Sequence, residues 1–333
     1  SADSEETTSL VSVYSTLSDD ALYLKNDDLP ELQANKEYTI GIAMTTVSTD
    51  WFKSLADEVQ SQVESAGCKA LVSICEDDVA TQVSQLENFI AQKVDAVILG
   101  PCNPQDALTP VLKDLAEAGI PVITVNDTVA ADAPILCAVS VDAYALGYGV
   151  GSYLGSQLLE KYPDAEEIQW ALIGGKDGDS IAHNRNEGAK AGMADVDVDG
   201  KFNLVSFLYS GGYSEENGLE TGQNMLTANP DLKCIIGTCD AHVIGASQAM
   251  TVLGMDSADV IMGAVDGSKT AMESISNGGH IVCTGMNDTH AFGVLATRLI
   301  VAYLNDGTLP ASKNVIQDPT VCTIDNLSDY YNG

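Results

Sequence analysis

Positive charge is what this sequence has least of. Lysine and arginine number 15 against 48 aspartates and glutamates, a formal net charge of −33 over 333 residues. A polyanion of that size is repelled by phosphate backbones, which excludes nucleic acid as a partner. Long apolar runs are missing as well: no stretch reaches the ~18 residues that a membrane-spanning helix needs. The eight cysteines form no CxxC pair and no Cys/His spacing that would hold a metal. HExxH, GxSxG and GxxxxGK[ST] are all absent, and the four histidines (183, 242, 280, 290) are scattered. With no nucleophile and base to pair, the chain reads as a non-enzyme, with no cofactor and no metal.

Two near-motifs also fail. In "LGYGVGSYLG" (146–155) the GxGxxG pattern breaks at Ser152 in one register and at Leu154 in the other. The run lies within an apparent helix, where small residues permit close packing. "DVDVDG" (195–200) begins like an EF-hand loop, but Ser206 stands where the bidentate glutamate is needed.

What the chain does have is 45% hydrophobic residues and only 19% charged ones, enough for a large core and roughly two domains. Most cysteines sit within apolar runs such as "LVSICED" and read as small buried hydrophobes with free thiols; in an exported protein that usage points to an anaerobic source. The opening "SADSEETTS" is acidic and rich in Ser and Thr, like a tether behind a processed signal or a lipidated cysteine. Residues 1–36 are therefore expected to be mostly linker, and membrane contact to come only through an N-terminal lipid anchor.

From Glu37 onward strands and helices alternate, the pattern of a doubly wound parallel α/β sheet. Strand starts fall at Thr39, Ala70, Ala96 and Val122, and a second series at Trp170, Asn203, Cys234 and Val260. Two similar doubly wound lobes are the simplest account. In such sheets ligands bind beyond the carboxyl ends of the strands. Those ends read "STDWF", Asn126-Asp127 in "IPVITVND", "KDGDSIAHNR", "SGGY", "TCD", "AVDG" and "HIVCTGMND". They offer carboxylates, amides, aromatic rings and one arginine, and almost no lysine.

A sugar presents hydroxyls that both donate and accept, together with apolar C–H faces. Carboxylates and amides bind neighbouring hydroxyls in pairs, and rings cover the C–H faces. Asp50, Asn126, Asp266 and Asn287, with Trp51, Phe52 and Tyr213, meet that description, and Arg185 adds up to five donors. Asp127, Asp240 and Asp266 suit helix caps equally well one by one. Their convergence favours a binding site.

At this point the chain resembles the ribose- and galactose-type periplasmic sugar-binding proteins of ABC transporters, the type I solute-binding proteins. The resemblance rests on "TIGIAMTTVSTDWFKSLADEV", "AVILGPCNPQDALTPVLKDLAEAGIPVITVND", "NRNEGAKAGM", "MLTANPDLKCIIGTCDAHVIGASQAM", "IMGAVDG" and "GMNDTHAFG", in that order. It implies that Asp50, Phe52, Asn126, Arg185, Tyr213, Asp266 and Asn287 contact the ligand. Trp51, Asp127, His183, Cys239 and Asp240 stand beside them in the expected set. There are departures: Cys239 occupies a place that is usually asparagine, Asp179 and Ile181 replace a histidine and an aspartate, and Asp127 and His183 stand where ribose-like members carry arginine.

The resemblance further implies two lobes, 37–140 with 288–318 and 141–286 with 319–333. Three hinge segments near Val141, Asn287 and Pro319 would join them, and the lobes would close on a monosaccharide, hexose or pentose, in the cleft between them. The partner would be an ABC permease and the protein a monomer, located outside the cytoplasm as a cell-surface lipoprotein or in a periplasm. The alternatives are a sugar sensor for a membrane receptor, or a receptor for a nucleoside, polyol or furanosyl signal. A DNA-binding regulator is disfavoured, since no helix-turn-helix precedes Tyr38.

Overall fold

The computed structural model describes residues 9–332. The chain begins with a short helix α1 (Leu10–Tyr14) and a strand β1 (Ser18–Leu24). It continues through β2 (Thr39–Met44), α2 (Asp50–Ser65), β3 (Lys69–Ile74), α3 (Val79–Gln92), β4 (Ala96–Leu99), α4 (Thr109–Glu117), β5 (Val122–Val125) and β6 (Cys137–Ser140). After Val141 it passes into a second compact unit. There it forms α5 (Ala143–Lys161), β7 (Ile168–Gly174), α6 (Ser180–Val196), β8 (Phe202–Tyr209), α7 (Glu215–Ala228), β9 (Cys234–Gly237), α8 (Asp240–Val252), β10 (Ile261–Val265), α9 (Lys269–Ser276) and β11 (Ile281–Gly285). From Thr289 to Asp318 it returns to the first unit as α10 (Thr289–Asp306) and β12 (Ser312–Gln317), and it ends in the second with β13 (Val321–Thr323).

The first unit holds a seven-stranded, all-parallel sheet in the order β1-β12-β6-β5-β4-β2-β3. The second holds six strands in the order β13-β11-β10-β9-β7-β8, parallel except for β13 against β11. Each unit winds the same way: β2 in the first and β7 in the second is flanked by the next strand on one side and the one after on the other. That reversal of direction is the switch point where such sheets take ligands. Central strands read as continuous apolar runs, AVIL, VITV and CIIG, because both faces are covered by helices.

The N-terminal residues correct the expectation of a tether. Leu10 and Tyr14 of α1 are buried in the first unit's core, and β1 pairs in parallel with β12 at the sheet's edge. The physical reason is the edge itself. Without β1 the outer groups of β12 would face water; instead Asn314 Nδ2 donates to the Asp19 carbonyl (2.6 Å), and Arg298 donates to the carbonyls of Asn26 (2.6 Å) and Leu29 (2.8 Å). The first eight residues lie outside the described part.

Helix α5, with its failed glycine motif, packs on α6 at backbone distance. A Cβ on Gly151 would lie 2.2 Å from the carbonyl oxygen of Ala189, and one on Gly192 2.1 Å from that of Tyr148. Helices α7 and α8 meet in the same way: a Cβ on Gly245 would lie 2.1 Å from the Glu215 carbonyl oxygen. All eight cysteines are buried and unpaired among the described residues. No described helix is long and apolar enough to cross a membrane.

Candidate functional site

At the carboxyl end of β2 in the first unit, Thr49 caps α2 by accepting from the Phe52 amide (3.2 Å). That cap leaves Asp50 exposed at the helix start and turns Phe52 into a depression shared with Thr45, Pro101, Asn126 and Asp127. Trp51 faces elsewhere. Its ring meets Phe292 and Phe52 edge-on, at 6.3 and 5.1 Å, and packs against the core. Successive residues at a helix start point in different directions, so half-buried Trp51 packs against the core while Phe52 lines the depression.

Strand β5 ends at Asn126 because the chain turns there with φ +69°. Asparagine is one of the few side chains that accept this left-handed backbone. Its Nδ2 donates to Asp127 Oδ2 (3.2 Å) and its amide to the Val139 carbonyl (3.0 Å). Burial raises the Asp127 carboxyl above the usual range, and the Asn126 hydrogen bond partly offsets it. The strand therefore ends in an amide and a carboxylate locked to each other.

In the second unit, α6 delivers Arg185 from its second turn; only 9% of the residue is exposed. Its Nη1 donates to Asp266 Oδ1 (3.0 Å) at the end of β10 and to the Thr238 carbonyl (3.1 Å) at the end of β9. Its Nε is buried without a protein partner. Burial raises the Asp266 carboxyl, opposed by Arg185 and by the Asp240 amide at the start of α8. Solvent still reaches 30% of the Asp266 side chain. Asp266 has φ +154°, a strained backbone for a residue with a side chain.

Tyr213 covers this floor from the β8–α7 loop. Its hydroxyl donates to Asp179 Oδ2 (2.6 Å), and its ring stacks on His242 at 6.1 Å between centroids. The ring fits because Gly175 has no side chain: a Cβ there would lie 2.2 Å from it. Burial and the Asp179 bond push the phenol up to about 12. Burial would raise Asp179, but hydrogen bonds from Tyr213, Ala182 and Ile181 outweigh it and hold the carboxyl below the usual range. Beneath the ring, buried His242 sits with Nε2 2.8 Å from the Gly212 carbonyl oxygen, and burial lowers its pKa.

The remaining expected residues divide. Asn287 is buried at the end of β11, and His183 is exposed on the first turn of α6 beside Tyr209. Cys239 is 4% exposed and packed among Asp266, Arg185 and Asp240; burial pushes its thiol up to about 12. Asp240 is corrected from ligand contact to support, being 1% exposed with both carboxylate oxygens engaged by Ser268 and Thr284. Thr238, His242 and Thr284 were not foreseen; a buried threonine on a strand or histidine in a helix leaves no sequence signal of its own. Among the described residues, no group of three or more His, Cys, Asp or Glu is placed to hold a metal.

Comparison with known proteins agrees with this architecture. A family model described as the periplasmic binding protein domain matches residues 40–308. The ribose import binding protein RbsB of Bacillus subtilis is 25% identical over 242 residues, 73% of this chain and 74% of that one. The D-xylose-binding periplasmic protein of Escherichia coli is 29% identical over 229 residues, 68% of this chain and 67% of its own. Among solved structures, an ABC transporter periplasmic solute-binding protein from Actinobacillus succinogenes with bound D-allose superposes with a TM-score of 0.74. It is 24% identical and covers 88% of this chain and all of that one.

Proposed function

We propose, since this chain belongs to the periplasmic binding protein family, that it is an extracytoplasmic receptor that captures a monosaccharide and hands it to an ABC importer. It acts by binding alone, without turning its ligand over, and as a monomer. Relatives named for ribose and xylose, and a related fold holding allose, support a pentose or hexose as the ligand.

The observation that carries the reading is the Arg185–Asp266 pair. A guanidinium with a donor to spare lies 3.0 Å from a carboxylate that solvent reaches, at the carboxyl ends of β9 and β10. Side by side they offer a donor and an acceptor, which is what two adjacent hydroxyls on a sugar ring require. In the second unit Tyr213 supplies an apolar face for ring C–H groups. The first unit, taken by itself, presents the same kinds of group, the Phe52 ring with the Asn126 amide and the Asp127 carboxylate. Leaving one such group unpaired costs ~1–3 kcal/mol, enough to select one epimer over another.

A thermal-shift screen tests the reading, using D-ribose, D-xylose, D-allose, D-galactose, myo-inositol, a nucleoside and an amino acid. A sugar at 100 times its Kd raises stability by about 2.7 kcal/mol, a shift of a few degrees. The reading requires one sugar to respond and Asp266→Ala to remove the response. A response to the nucleoside or the amino acid alone refutes it.

A further inference from the structure

Asp240 opens α8 yet turns away from solvent. Its Oδ2 accepts from the Ser268 amide and its Oδ1 from the Thr284 hydroxyl, both at 2.8 Å. The Thr284 oxygen accepts in turn from the Gly267 amide at 2.9 Å. Two consecutive amides of the turn after β10 are thus tied, one directly and one through Thr284, to a single buried carboxylate. The turn they hold is the one that carries Asp266 at φ +154° and Gly267 at φ +73°. Strain of this kind persists only where the surroundings over-determine it. A carboxylate is a costly group to bury, and Arg185 directs its Nη1 to Asp266 and Thr238 rather than to Asp240.

We propose that Asp240 is a positioning residue for ligand binding: it clamps the 266–268 turn so that Asp266 meets Arg185 in the geometry the ligand uses. The ligand half of this inference rests on the sugar-receptor reading; the clamp rests on the turn alone. The groups facing Asp240 are Asp266 from β10, Cys239 from its own turn, Cys283 from β11 and Cys322 from β13, with Arg185 of α6 behind Asp266. Burial, then repulsion from Asp266, pushes Asp240 up to about 7, so the two carboxyls titrate as a pair. A protonated Asp240 still accepts from Ser268 but donates to Thr284, whose hydroxyl reverses. The clamp survives, and Asp266 loses a negative neighbour.

The test compares wild type, Asp240→Ala, Asp240→Asn and Thr284→Val in two measurements. The first is amide hydrogen exchange at Gly267 and Ser268, which needs no ligand. The second is calorimetric titration with whichever monosaccharide of the panel gives the largest thermal shift. Asp240→Ala should speed exchange at both amides at least tenfold while α5 stays protected, and raise the sugar's Kd at least tenfold. Asp240→Asn keeps an acceptor for Ser268 and a donor for Thr284, so it should recover most of both losses. Thr284→Val removes the acceptor of the Gly267 amide, so it should speed exchange at Gly267 and leave Ser268 protected. Unchanged exchange in Asp240→Ala overturns the proposal. Should Asp240→Ala not fold, Thr284→Val decides: wild-type protection of Gly267 in that variant overturns the proposal. Should no sugar bind wild type, the receptor reading fails, and exchange decides the clamp by itself.

Discussion

The two units wind their sheets alike but are built from different materials. The core of the first is branched and aromatic: Ile40, Ile42, Ile98, Ile123, Val59 and Phe292 are all fully buried. The second relies on methionines and alanines, among them Met225, Met250, Met262, Ala246 and Ala264, with helices drawn together at glycines. Buried charge follows the same division. Arg185 and Asp240, the charged residues of the buried core, both belong to the second unit, whereas the polar groups buried in the first are neutral. Side-chain hydrogen bonds to charges need fixed geometry, and backbones in contact fix it more firmly than interdigitated side chains can. One topology has been used once to present shape and amides, and once to hold an ion pair rigid.

The strongest way to break that contrast is to push the second unit's helices apart. Gly151→Val places a branched side chain against the Ala189 carbonyl, 2.2 Å from where its Cβ must sit. A loss of more than about 3 kcal/mol is expected by urea denaturation, since backbone has to move. In the first unit Val59→Ala, which removes methyl groups from a fully buried site, should cost about 2 kcal/mol.

Removing the arginine comes next. Arg185→Ala leaves Asp266 without its cation. Stability should fall by ~2–4 kcal/mol, read from the same denaturation curves, and sugar binding should be lost. Arg185→Lys should not rescue binding, because a single ammonium lacks the second, differently directed donor.

A smaller effect is the pH dependence of the ligand-free protein. Asp240 and Asp266 have native pKa values raised above their unfolded ones, so the native state keeps protons that the unfolded chain releases. The contribution of Asp240 is complete below about pH 4 and is lost as pH rises through about 7; that of Asp266 is lost in the same direction. Asp179 acts in the opposite sense: its contribution is present above about pH 4 and disappears as acid protonates it. Between pH 5 and 8 the melting temperature should therefore decline from this pair, and Asp240→Asn should flatten the decline. The smallest effect sharpens the first unit's side of the contrast. Asn126→Ala at φ +69° should cost about 1 kcal/mol in thermal melts, and Asn126→Gly less.

Much of this was legible in the sequence, for identifiable reasons. Runs such as AVIL and VITV mark strands covered on both faces, and polar residues collected at their ends mark the side where ligands bind. The glycines of "LGYGVGSYLG" were readable as helix packing because they lie at helical spacing. Depth was not readable. Asp240 and Asp266 are both aspartates at strand ends, yet one is sealed beneath the other, and only three-dimensional order separates support from contact. Trp51 and Phe52 are adjacent, and the Thr49 cap decides which of them faces outward. Residues 10–24 carry too short an alternation to show a strand; β1 forms because β12 offers it an edge.

The central claim is that the Arg185–Asp266 pair of the second unit binds a sugar. Its most direct test is calorimetric titration of the best-responding monosaccharide into wild type, Arg185→Ala and Asp266→Ala. The account predicts one site per chain in wild type and no measurable binding in either variant. Wild-type affinity in either variant would contradict it.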